Sequence, residues 1–139
     1  MKKSKIKILL ISFFLILLSC DNKTQFEKSI IATEKDYWQY NDDCESHGVY
    51  FQFNEGGDYN KYNRYIDNTF ELFNDDGDII GGVRSWSMKN DSIFIWDNEE
   101  YKIEKSTDKQ IVLTYYHHKE KNQKCKITLN KVSQQNYKE

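Results

Sequence analysis

The residues best able to do chemistry in this chain are three cysteines, three histidines and a few neighbouring carboxylates. A thiol can be alkylated, oxidised or bound to a metal, and its surroundings decide which. Cys20 ends an apolar stretch, whereas Cys44 and Cys125 lie in polar, aromatic-rich sequence. In an oxidising compartment, a lone pair such as Cys44 and Cys125 is most simply a disulfide. It would close a loop of about 80 residues and stabilise the fold by roughly 2–4 kcal/mol. The alternative is a metal pair assisted by His47 or the His117-His118 doublet, but no CxxC or HxxxH spacing supports it. Neighbours on a strand point to opposite faces, so His117 and His118 are not expected to share a metal without a bend. Asn74-Asp75-Asp76-Gly77-Asp78 has the composition of a calcium loop. An EF-hand, however, needs alternating ligands over about twelve residues, a closing Glu and flanking helices, so a solvated hairpin turn is expected here. Glu99-Glu100 and Asp42-Asp43 are paired carboxylates in turn-rich sequence. There is no nucleophile elbow, phosphate loop or HExxH. No catalytic residue, metal ligand or cofactor is therefore expected, and the chain does not read as an enzyme.

Cys20 reads differently from the other two thiols. Lys2, Lys3, Lys5 and Lys7 form a positive start, followed by an apolar run from Ile8 to Leu18 broken only by Ser12. That run is about 11 residues, short of the roughly 20 needed to span a bilayer as a helix. A basic start, a short apolar core and a small-residue boundary describe a secretory signal. The boundary Leu17-Leu18-Ser19-Cys20 resembles the lipobox of bacterial lipoproteins. The resemblance implies cleavage between Ser19 and Cys20, a diacylglyceryl group on the Cys20 thiol and an acyl group on the freed amine. A soft nucleophile must accept the glyceryl group, and a small residue before it lets the peptidase approach. Two or three acyl chains hold a protein on a membrane stably. Residues 1–19 are then a signal peptide and residues 20–35 a lipid-anchored polar tether, with only Phe26 and Ile30-Ile31-Ala32 to bury. The expected location is the bacterial cell envelope, most simply the outer membrane on its periplasmic or cell-surface side.

Removing the signal leaves about 120 residues, enough for one domain. The formal charge of the whole chain is −2, and four lysines leave with the signal, so the mature chain sits near −6. Nucleic acid is excluded as a partner, because phosphate binding needs clustered Lys and Arg. Hydrophobic content is modest, so the aromatic residues, ten Tyr and three Trp among them, must be well patterned to build a core.

From Tyr37 onward, segments with period-two alternation are separated by turn residues, as in a meander of hairpins. Tyr37 to Tyr40 reads as a first strand, and Val49, Phe51 and Phe53 share one face of the second. Glu55-Gly56-Gly57-Asp58 supplies the positive φ of a tight turn. Tyr59 to Ile66 reads as a strand with a bulge, and Thr69 to Phe73 as one with Phe70 and Leu72 inward. Val83 to Met88, Ser92 to Trp96 and Tyr101 to Lys105 follow. Ile111, Leu113 and Tyr115 mark the next strand, and Cys125, Ile127 and Leu129 the last. These eight or nine short strands, with no helix, predict an all-β domain over residues 36–132 and a polar tail over 133–139. Closing into an antiparallel up-and-down barrel of about eight strands would remove the exposed edges, and a Cys44–Cys125 bridge would tie first strand to last. A two-sheet sandwich is the competing arrangement.

A lipobox, a short tether, Trp38 in the first strand and an aromatic-rich meander together resemble the small lipocalin-like lipoproteins of the Bacteroidetes, over roughly residues 36–132. The Gly-x-Trp signature of true lipocalins is replaced by Asp36-Tyr37-Trp38, so no ligand residue is carried over. Trp38, Trp86, Trp96 and Tyr101 are candidates to line a pocket for a small apolar or sugar-like ligand; filling of the core is their other role. Tyr59, Tyr62, Arg64 and Tyr65 have the composition that protein interfaces favour. The expectation is a non-catalytic lipoprotein held on a membrane by its lipid, binding a small ligand. An immunity or inhibitor protein with a protein partner, or a purely structural envelope protein, are the alternatives.

Overall fold

The computed structural model describes residues 22–73 and 84–134. Ser19, Cys20, the signal peptide and the Asn74 to Asp78 turn lie outside the described residues.

Among the described residues, the first element falls in the stretch expected to be a tether. Helix α1, Gln25–Ile30, starts at a capping box. The Thr24 backbone N–H donates to Glu27 Oε2 at 2.7 Å, and the Glu27 N–H donates back to Thr24 Oγ1 at 3.1 Å, which satisfies two of the donors a helix start leaves free. Six residues cannot hold a helix by propensity alone; burial does it. Phe26 and Ile30 are buried, Phe26 packs on Phe94 with ring centroids 5.2 Å apart, and Ile31 bridges to Phe53. The tether expectation therefore fails for residues 24–31, which pack into the domain, whereas every described element from Asp36 onward is a strand.

Nine strands follow: β1 Asp36–Asp42, β2 Tyr50–Phe53, β3 Tyr59–Arg64, β4 Phe70–Leu72, β5 Trp86–Asn90, β6 Ile93–Trp96, β7 Glu99–Ser106, β8 Gln110–Tyr116 and β9 Lys124–Ser133. They form one antiparallel sheet in the order β4-β3-β2-β1-β9-β8-β7-β6-β5, curled into a half-barrel. It is an up-and-down meander in which the first strand pairs with the last. β1 and β9 run together from Asp36↔Ser133 to Asp42↔Ile127. The sheet is thus two meanders, β1–β4 and β5–β9, joined along that ladder.

Period-two alternation sorts most strands as expected. Trp38, Phe51, Phe53, Phe94, Ile111, Leu113, Ile127 and Leu129 share the core with Phe26 and Ile30. Trp38 is fully buried, and its indole N–H donates to the Ile30 carbonyl at 2.7 Å. That bond satisfies a carbonyl of the last helical turn and ties the helix to the sheet.

Two strand expectations are corrected. Phe70 and Leu72 do not face the core: register places them opposite Arg64 and Tyr62, and Phe70 stacks on Tyr37 at 3.8 Å on the outer face. Both faces of β1–β4 carry aromatic rings, so alternation there does not distinguish inside from outside. The bulge expected in Tyr59 to Ile66 is also absent from the β2–β3 ladder; irregularities fall between Met88 and Asn90 and between Ile103 and Lys105 instead.

At the β2–β3 turn, Gly57 has φ +84°, and a Cβ there would lie 3.2 Å from the Trp86 carbonyl oxygen. The same turn accepts the Trp86 backbone N–H at the Gly57 carbonyl, 2.8 Å. Gly57→Ala should lower the unfolding free energy by about 1–2 kcal/mol, the cost of a left-handed alanine, and more if β5 is pushed away. Urea denaturation measures it.

Candidate functional site

Cys44 and Cys125 are joined by a disulfide across 81 residues of sequence, with Cα atoms 5.7 Å apart. It sits just beyond the end of the β1–β9 ladder, where the Asp43 N–H donates to the Lys126 carbonyl at 3.1 Å and the Lys126 N–H to Asp43 Oδ1 at 2.6 Å. With both sulfurs bonded to each other, they offer no thiolate to a metal.

On the same side of the sheet as Trp38, strands β1, β2, β3, β6 and β7 surround a pocket of about 290 Å³. Tyr40, Phe51, Tyr59, Trp96 and Tyr101 form its aromatic wall. Trp96 is the centre of this wall, with ring centroids 4.8 Å from Phe51, 5.7 Å from Tyr59, 5.9 Å from Tyr40 and 6.0 Å from Tyr101. Glu45, His47, Lys61, Asp97 and Glu99 bring charge to the same space.

The phenols are fixed by carboxylates. Asp42 Oδ2 accepts from Tyr40 Oη at 2.8 Å and from Tyr115 Oη at 2.7 Å, while its Oδ1 accepts from the Cys44 N–H at 2.8 Å. Asp97 and Asn98 form the β6–β7 turn, both with positive φ. The Asp97 carboxylate accepts from Tyr59 Oη and, at 3.2 Å, from the Ser85 N–H. Burial first, and then the Asp42 hydrogen bond and charge, push the phenols of Tyr40 and Tyr115 well above their ordinary value; Asp97 does the same for Tyr59. Tyr101 is raised to about 12, by burial first and then by Glu99, Asp42, Asp97 and Glu45.

A phenol whose pKa is raised in the folded state contributes stability that is complete below the unfolded value near 10 and is lost above it. The urea midpoint should therefore fall steeply from about pH 10, with roughly 2–3 kcal/mol lost by about pH 12 from Tyr101 alone. Tyr115→Phe should flatten part of that fall. A midpoint unchanged at about pH 11.5, followed alongside tyrosinate absorbance, would contradict the burial of these phenols.

The sequence candidates separate. Trp96 and Tyr101 line the pocket. Trp38 does not, being core. Trp86 is also core, its indole N–H shared between the Asn54 and Asp58 carbonyls, each at 3.0 Å. Tyr59, an interface candidate by composition, is buried in the pocket wall. Tyr62, half-buried, lies on the outer face beside Tyr37, at 5.0 Å. Arg64 and Tyr65 are exposed at the neighbouring β3–β4 turn, with Ile66 fully exposed. Sequence reading missed Tyr40, Glu45, Lys61, Asp97 and Glu99. Tyr40 shares the parity of Trp38, a legible signal; the carboxylates sit at or beside turns, where acidic residues are common without a role.

His117 and His118 lie past the end of β8, where the chain bends, and their rings stack 4.7 Å apart. Both come near Glu45, all three offering ligand atoms within 4.8 Å of one another. His47 Nε2 is 2.9 Å from Glu45 Oε2, and His117 Nε2 is 3.7 Å from Oε1. His117 Nδ1 accepts from the backbone N–H groups of Lys119 and Glu120, at 3.3 and 3.2 Å. In a neutral ring the proton then sits on Nε2, facing Glu45, which occupies the lone pair a metal would need. The cluster reads as hydrogen bonds and close contacts around one carboxylate.

No protein-family model matches the chain, and no curated protein and no solved structure matches it either.

Proposed function

We propose that this chain is a lipid-anchored protein of the bacterial cell envelope whose domain holds a small ligand by non-covalent contact. The observation that carries the reading is the aromatic-walled pocket of about 290 Å³ on the core side of the sheet. It is near the lower end of the roughly 300–1,000 Å³ usual for small-molecule sites, and it combines apolar walls with a few placed polar groups. The anchor rests on the signal pattern ending at Cys20. The domain is read as a barrel: β1 already pairs with β9, the edge strands among the described residues are β4 and β5, and the Asp58–Ser85 bridge draws β5 toward β3. Catalysis is not proposed: Asp97 is engaged as acceptor from Tyr59 and the Ser85 N–H, and Glu45 is paired with His47.

Intact-mass spectrometry of protein extracted from membranes tests the anchor and the ligand together. The expected result is acyl mass on a chain beginning at Cys20, a gain of about 2 Da on reduction as one disulfide becomes two thiols, and extra mass present only under mild ionisation. An unacylated chain would remove the anchor; an anchored chain that never carries or takes up a small molecule would remove the ligand reading.

A second reading has its own observation. On the outer face, Tyr37, Tyr50, Tyr62 and Phe70 pack ring against ring, Leu72 is 53% exposed, and Tyr65 and Ile66 extend the surface. Apolar and aromatic area beside an arginine suits a protein partner, as an immunity or inhibitor lipoprotein would need.

A further inference from the structure

We propose that the pocket's ligand is a small organic cation, an amine or quaternary ammonium compound, held against the aromatic wall by the surrounding carboxylates. This rests on the ligand-binding reading above and adds the sign of the ligand's charge.

The argument begins with the wall. An aromatic face carries negative potential, and a cation within about 6 Å of ring centroids is attracted to it. Five rings on five different strands border one small space, the arrangement in which such attraction adds up. Uncharged apolar ligands would also suit the rings, so the rings alone do not choose.

The carboxylates choose. Glu45, Asp97 and Glu99 border the same space, and Asp42 stands behind Tyr40 and Tyr115. These residues come from the β1–β2 loop, the end of β1 and the β6–β7 hairpin, so the negative charge is collected by the fold from separate segments. An uncharged ligand would strip water from these groups without replacing it, at a cost of desolvation. An anion would add repulsion. A cation alone gains from both the rings and the acids. Tyr101 registers the same field, its phenol held up by Glu99, Asp42, Asp97 and Glu45 after burial.

The opposing charges are accounted for. Lys61 borders the pocket, but its Nζ lies 4.2 Å from the centroid of the Phe73 ring and is occupied there. His47 is paired with Glu45. Arg84 acts electrostatically on Tyr59 near Asp97. Three bordering carboxylates face one bordering lysine, and the balance is negative.

Choline and 3,3-dimethylbutan-1-ol are the probes. They share a shape, with a quaternary nitrogen in one replaced by carbon in the other. Each is titrated into the detergent-solubilised mature protein at low salt, and binding is followed by tryptophan fluorescence, Trp96 being the indole in the pocket wall, and by calorimetry. The expected result is saturable binding of choline at least about tenfold tighter than its neutral isostere, weakening with added salt. Glu99→Gln, at an exposed position that should leave folding intact, should weaken choline about three- to tenfold while the isostere binds no more weakly than before, since the desolvation cost of one carboxylate is gone. Lys61→Met should strengthen choline. Equal or tighter binding of the neutral isostere overturns the cation inference and leaves the ligand reading standing. Saturable binding of neither, with the protein folded by circular dichroism, overturns both.

Discussion

Trp38→Ala should lower the unfolding free energy by about 3–5 kcal/mol, the range for deleting a large aromatic side chain from a packed core. Three losses coincide at this position. The indole is fully buried, so its removal leaves a cavity among Ile30, Phe53 and the β8–β9 side chains that share its cluster. Its N–H is the donor to the Ile30 carbonyl at 2.7 Å, and that buried acceptor would be left unsatisfied. Lys131 also loses the ring beneath its Nζ, which lies 4.8 Å from the centroid. Trp38→Phe separates the terms: it keeps most of the volume and removes the donor, and should cost about 1–3 kcal/mol. Because the hydrogen bond is what ties α1 to β1, hydrogen exchange in Trp38→Phe should accelerate first at residues 25–31. Uniform acceleration across the domain would mean that the helix is held by Phe26 and Ile30 alone.

The helix shows why parts of this molecule are legible and parts are not. Thr24 and Glu27 are a capping box in plain sequence, and Phe26 and Ile30 are four residues apart on one face. But six residues are too few to set up a periodic pattern against a polar background, so the segment resembles a tether. Strands β8 and β9 are the opposite case. Cys125, Ile127 and Leu129 alternate with Lys124, Lys126, Thr128 and Asn130, Ile111 and Leu113 share one parity between Gln110 and Thr114, and all five are buried. In β1–β4 the rule loses its power for a physical reason. Tyr37, Tyr50, Tyr62 and Phe70 pack into a second aromatic layer outside the sheet, so both parities are apolar and Phe70 cannot be assigned from pattern. The site divides the same way. Trp96 and Tyr101 stand out because each shares its strand's inward parity with another large apolar residue, Phe94 and Ile103. Glu45, Asp97 and Glu99 become a set only when the sheet curls, since nothing in their sequence spacing brings the β1–β2 loop to the β6–β7 turn.

The second large effect concerns how the two meanders are held together. Replacing Cys44 and Cys125 by alanine should cost about 4 kcal/mol, within the roughly 2–5 kcal/mol range for losing a native disulfide. The loop closed is 81 residues, so the bond restricts the unfolded chain over most of the domain. Its location makes the loss specific as well. In the order β4-β3-β2-β1-β9-β8-β7-β6-β5, β1 and β9 are the ladder joining the two halves. The bond fastens that ladder at the end where Asp42 pairs with Ile127. Each half is a local meander whose strands find their neighbours through short turns, whereas β1 and β9 must meet across almost the whole domain, where closure entropy is greatest. Cys44→Ala alone, Cys125→Ala alone and the double variant should therefore lose nearly the same stability, since either substitution abolishes the bond; only a small extra cavity cost is expected at buried Cys125. Losses that add in the double variant would show that the thiol side chains matter by packing and not by bonding. Reduction should reproduce the loss in the parent protein and leave the double variant unchanged. Amide protection in the reduced protein should fall first along Asp36–Asp42 and Lys124–Ser133, ahead of the β5–β8 hairpins, because this seam pairs strands far apart in sequence whereas the hairpins pair neighbours.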